Sequence, residues 1–155
     1  MTMPLIPDQA PQQRTRRTRR AEALAASCGR FRIAVLYAFG SRALEARAWL
    51  EGENLFAGAS DLDVGVLPVA GGRLSARDRV ELTIALEDLF QVPRVDLVVL
   101  PEARSFLASA VIQGERLFAR NQDEADEYDL YVLRRAGDLL PFHRERVRMV
   151  LEAGA

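Results

Sequence analysis

The sequence contains no lysine: its 21 basic residues are all arginine, set against 22 acidic residues and one histidine. With a net charge of −1 there is no global field to grip nucleic acid, so direct nucleic-acid binding is not expected and any such contact would have to be local. A single cysteine, Cys28, excludes an intramolecular disulfide and a cysteine-rich zinc site. Apolar runs such as residues 33–40 and 95–100 are far shorter than the roughly 20 residues that span a bilayer. Residues 1–13 lack the apolar stretch of a secretory signal, which makes a reducing cytoplasm the expected location. What remains, 49% apolar and 28% charged over 155 residues, is the composition of one globular domain with one core.

Three prolines among polar residues in 1–13, followed by five arginines in 14–20, read as a disordered, Arg-rich N-terminal arm over residues 1–20. The rest, residues 21–155, is expected to form the single domain. An Ala-rich stretch ending at Cys28 suits a helix begun near Thr15, with Gly29 as its left-handed cap. Residues 33–39 (IAVLYAF) are continuously apolar and predict a strand buried on both faces. After the break at Gly40-Ser41, Leu44, Ala48 and Trp49 predict a short helix, and Leu62, Val64 and Val66 alternate as in a strand with one apolar face.

Residues 75–90 read as a helix with Ser75 as N-cap, Asp78 three residues on, and Val80, Ile84, Leu86 and Leu89 as its buried stripe. Residues 94–100 predict a third strand, 105–112 a helix, and 117–119 a further short strand. From Tyr128 to Leu151 apolar residues recur every three or four positions and predict a packed helix that Pro141 must kink or split. The fold class is α/β: a small mixed sheet flanked by helices, with a C-terminal helical segment.

The informative residues stand beside the strands. Residues i and i+2 of a strand share a face, so Asp61 and Asp63 present two carboxylates roughly 6.6 to 6.8 Å apart at the backbone. Leu62 and Val64 face the core, and a one-residue slip would bury both acids. Asp96 lies in a similar apolar frame, so pairing of the second and third strands would bring it to the same cluster. Three adjacent carboxylates repel one another unless a cation joins them, and Mg²⁺ takes hard oxygen ligands. Gly40 lets the backbone approach a phosphate, Ser41 offers a hydroxyl, and Arg42 a cationic contact. An EF-hand fails because the fifth and twelfth positions of such a loop fall on Gly65 and Gly72. A phosphoaspartate hydrolase would place its acid at the end of a parallel strand, and here the apolar strand follows the acids. A DxD glycosyltransferase would need a longer chain.

At GSR (40–42), SDLDVGV (60–66) and VDLVVL (95–100) the chain resembles the minimal nucleotidyltransferases, small members of the polymerase β-like superfamily, over about residues 31–119. The resemblance implies a nucleotidyltransferase fold, phosphate binding at Gly40 and Ser41, and two Mg²⁺ ions held by Asp61, Asp63 and Asp96. It implies transfer of AMP from ATP to a hydroxyl, with Asp96 helping to deprotonate the acceptor. The interval of 19 residues between Ser41 and Asp61 is longer than the family commonly has and implies an insertion around residues 44–56.

No second domain is evident to cradle a small molecule, so a protein acceptor is expected. The chain thereby resembles the antitoxins of HEPN-MNT toxin–antitoxin pairs, which AMPylate a tyrosine of the partner toxin and silence its RNase activity. A non-catalytic antitoxin acting by contact, and an aminoglycoside-type nucleotidyltransferase completed by a second subunit, are the alternatives, and the oligomeric state stays open. Cys28 and Trp49 read as packing and His143 carries no assigned role. The arginine run reads as a solvated arm dispensable for folding, with contact to an acidic partner or RNA as its alternative.

Overall fold

The computed structural model describes residues 9–53 and 60–154. Among these, four strands form one mixed sheet in the order β3-β2-β1-β4: β1 (Ile33–Phe39), β2 (Leu62–Pro68), β3 (Val95–Val99) and β4 (Glu115–Ala119). β1 pairs antiparallel with both β2 and β4, and β2 pairs parallel with β3. Helices α1 (Gln9–Arg30), α2 (Ala43–Leu50), α3 (Ala76–Phe90), α4 (Ser105–Ile112) and α5 (Gln122–Ala153) flank the sheet.

Alternation along the strands divides the core in two. Leu36, Ala38, Leu62, Val64, Val66, Val95 and Val99 join Leu24, Cys28, Leu82, Leu86 and Phe90 on one face. Val35 and Tyr37 join Ala108, Val111, Ala125 and Val132 on the other. The central strand β1 is therefore covered on both sides, as its unbroken apolar run predicts. α3 carries the expected capping box: the Ser75 side chain accepts from the Asp78 N–H at 3.0 Å, and Asp78 accepts from the Ser75 N–H at 3.1 Å. Its buried stripe is Leu82, Leu86 and Phe90, whereas Val80 and Ile84 are exposed.

The N-terminal region corrects the expectation most strongly. The helix expected from near Thr15 begins earlier: residues 9–20, assigned also to a disordered arm, are the first half of α1. Pro11 is tolerated because the first turn has no N–H partner to lose; residues 1–8 lie outside the described residues. The arginines are not all solvated. Arg20 is buried, donates from Nη1 to the carbonyls of Trp49 (2.7 Å) and Glu53 (2.8 Å), and lies 3.4 Å over the Trp49 ring. Arg16 donates to the Gly52 carbonyl at 2.9 Å. Together they hold the turn that follows α2, and Arg20 also reaches the last turn of the helix, where a cation is favoured. Gly52 takes φ +97°, and a Cβ there would fall 2.3 Å from the Gln13 carbonyl oxygen.

Arg20→Ala is accordingly expected to destabilise the fold by about 2 kcal/mol, lowering the thermal midpoint by about 4 to 8 °C. A melting curve by circular dichroism that matches wild type would return this region to a passive role.

Other ends differ in detail. Gly29 lies inside α1, and Arg32, at φ +55°, is the left-handed residue that follows it. Cys28 is buried, and burial pushes its thiol up to about 12, the behaviour of an inert packing residue. Of the expected insertion, residues 44–50 lie in α2, and 54–56 fall outside the described residues. α5 continues through Pro141 without splitting. Its first half is docked by Ala125 and Val132, and by Asp129, which accepts from the Tyr37 hydroxyl (2.5 Å) and from Arg116 (2.7 Å). Its second half exposes Phe142, Val147, Val150 and Leu151 instead of burying an apolar stripe. Among the described residues no helix is long and apolar enough to cross a membrane.

Candidate functional site

The sheet gathers the predicted acids at one corner. β1 ends where β2 and β3 begin, so Phe39 pairs with Asp63 and Asp63 pairs with Asp96. Leu62 and Val64 point to the α1/α3 core, which turns Asp63 to the opposite face, and the parallel register turns Asp96 the same way. Asp61 lies exposed immediately before β2. Asp63 is half-buried, and its carboxyl is held above the usual carboxylate range by burial first, then by the charges of Asp96 and Asp61. Three carboxylates thus share one electrostatic environment.

Gly40 begins a 3-10 turn (Gly40–Arg42) directly after Phe39. It takes φ +74°, and a Cβ built on it would fall 2.8 Å from Asp63 Oδ2. The position needs glycine both for its left-handed backbone and for the carboxylate lying against it. Gly40 and Ser41 are exposed at the mouth of this corner. Arg42 is placed differently from its sequence expectation: it is only 4% exposed, donates to the Ser60 carbonyl, and pairs with Glu45 at 3.4 Å. Its guanidinium acts here as a strut between the glycine turn and the segment that delivers Asp61 and Asp63.

The donor set of three carboxylates suits a hard divalent cation, and their mutual repulsion favours one. As placed, however, no three His, Cys, Asp or Glu side chains among the described residues are gathered closely enough to hold a metal ion. A residue not singled out from the sequence stands beside two of these acids. Arg94 donates to Asp96 Oδ1 at 3.1 Å and lies 3.9 Å from Asp61 Oδ2. Its position two residues before Asp96, on the same face of an extended segment, was the available signal, obscured by the abundance of arginine.

No family model matches the chain, and no curated protein matches it. Solved structures do match. A chain from a toxin–antitoxin structure with AMP-PNP superposes with a TM-score of 0.63 at 20% identity, over 84% of this chain and 98% of that one. A chain from a tri-AMPylated Shewanella oneidensis HEPN toxin in complex with MNT antitoxin gives a TM-score of 0.61 at 19% identity, over 90% of this chain and 98% of that one. A chain from the toxin–antitoxin MntA-HepT gives 0.61 at 18% identity, over 86% and 98% of the two chains. At these identities the likeness is one of fold.

Proposed function

We propose that this chain, which shares its fold with chains of MNT–HEPN toxin–antitoxin structures, is a cytoplasmic nucleotidyltransferase antitoxin that moves AMP from ATP to a hydroxyl of a HEPN-type partner, a tyrosine being the favoured acceptor. The observation that carries this reading is the contiguity of Gly40, Asp63 and Asp96 across three adjacent backbone segments, with Asp61 beside them.

In the reaction, the acceptor oxygen forms a bond to the α-phosphorus of ATP. The bond from that phosphorus to the β-bridging oxygen breaks, pyrophosphate leaves, and the hydroxyl proton passes to a carboxylate base. Two Mg²⁺ ions, when bound, would supply charge stabilisation at the phosphates and at the attacking oxygen. Asp61, Asp63 and Asp96 would be their oxygen ligands, and Asp96 would accept the proton. Gly40 and Ser41 would lie along the triphosphate, where a backbone without Cβ allows close approach and the hydroxyl donates. Arg42 would act on this site by holding Ser60, one residue before Asp61.

Incubation with the partner and labelled ATP should make the partner heavier by one or more AMP units in mass spectrometry. Asp63→Asn should lower that transfer by roughly a hundredfold or more, the scale of a lost electrostatic group in the transition state. The same substitution removes a carboxylate whose charge the fold disfavours. Because the folded Asp63 holds its proton to higher pH than the unfolded chain does, its penalty is absent in acid and grows as pH rises. Asp63→Asn should therefore raise the thermal midpoint at neutral pH and leave it unchanged in acid. Partner RNase activity silenced with ATP absent and its mass unchanged would favour an antitoxin acting by contact. Transfer to an aminoglycoside alone would favour a small-molecule enzyme.

A further inference from the structure

Arg94 stands where two of the acids converge. Its backbone is fixed, because its carbonyl accepts from the Leu62 N–H at 3.0 Å, the first link between β2 and β3. Its side chain is 67% exposed, as are 44% of Asp61 and 43% of Asp96. The guanidinium is thus anchored at its base and free to swing at its tip. It holds Asp96 by Oδ1 and reaches toward Asp61, while Asp63 lies against Gly40 outside this bridge.

We propose that Arg94 is a displaceable counter-cation of the carboxylate corner, competing with a divalent metal ion for Asp96 and Asp61 and so setting the affinity of the site for that ion. The inference rests on the reading of these acids as metal ligands. While Arg94 holds Asp96 Oδ1, an ion must compete with a guanidinium for the charge of that carboxylate. A dication beside a guanidinium is also repelled by it. The exchange is easy because pairs this exposed are individually weak and screened by solvent. Arg94 would then keep the acids neutralised until an ion of higher charge takes them, and would be released toward solvent, on the side where phosphates arrive.

The full-length protein, without nucleotide and at low salt, can be titrated with Mn²⁺ while free Mn²⁺ is followed by electron paramagnetic resonance. Arg94→Gln should bind Mn²⁺ roughly threefold to tenfold more tightly than wild type. Arg94→Lys, which keeps the charge and loses the fork, should fall between the two. Circular dichroism verifies that each variant is folded, and if Arg94→Gln is not, Arg94→Lys alone still decides: it must bind more tightly than wild type. Unchanged or weaker binding in the folded variants overturns the role of Arg94 and leaves the metal site standing. A wild type that takes up Mn²⁺ no better than an Asp61→Asn, Asp63→Asn double variant overturns the metal site and this inference with it.

Discussion

Gly40→Ala is expected to lower AMP transfer by about a hundredfold or more while leaving a folded protein. Two separate effects meet at this residue. The φ of +74° is one that an L side chain adopts only at a cost of about 1 to 3 kcal/mol. The new methyl would also lie 2.8 Å from Asp63 Oδ2, closer than any ordinary contact. The atom it meets is the tip of a half-exposed side chain, so Asp63 can swing aside and the fold survives. What does not survive is the alignment of that carboxylate with Asp96, and misplacement of a reacting group by about 1 Å can cost a hundredfold in rate. Transfer assayed beside a melting curve separates the two effects. Near-wild-type transfer would mean that the glycine turn has no part in the chemistry.

Gly114→Ala should have the opposite profile, a large loss of stability wherever activity is measured. A Cβ at Gly114 would fall 2.3 Å from the Ala38 carbonyl oxygen and 2.9 Å from Phe39 Cα. Both are backbone atoms of the central strand, one step before Gly40, and neither can turn away. Glu115, the next residue, pairs with Ala38, so the substitution must push β4 off β1 or break the turn after α4. A cost of about 3 kcal/mol or more is expected, with a fall in thermal midpoint of about 6 to 12 °C. Gly137, exposed in α5 with nothing within 4 Å of a Cβ, is the control: alanine there should stabilise by up to about 1 kcal/mol. Equal destabilisation at both glycines would rule out crowding as the cause.

These contrasts also separate what was legible in the sequence from what was not. β1 begins and ends at the residues its apolar run predicts, and the cap of α3 forms as written, because both depend on neighbours along the chain. The parallel register that sets Asp63 beside Asp96 could be anticipated only as a condition on strand pairing. The arginines were the least legible residues. In sequence, Arg16, Arg20, Arg42 and Arg94 look alike, yet Arg16 and Arg20 hold the turn after α2, Arg42 is a buried strut, and Arg94 pairs with the acids. The carbonyls that Arg16, Arg20 and Arg42 hold lie 18 to 36 positions away, beyond any local pattern, and only Arg94 has its partner two residues on. α3 presents apolar residues on two faces, and periodicity favoured Val80 and Ile84 over Leu82 and Phe90, which packing against α1 and the sheet buries. In α5 the apolar recurrence past Leu139 is real, but Phe142, Val147, Val150 and Leu151 stay exposed, Val147, Val150 and Leu151 lining an open cavity with Ser105 and Phe106 of α4.

Arg20 holds the Glu53 carbonyl and Arg42 holds the Ser60 carbonyl, so residues 54–59 run between two posts that are set independently of what connects them. Asp61, one residue past the second post, therefore owes its place at the corner to Arg42 as well as to β2, and a change at Arg42 would be felt at the acids without touching them.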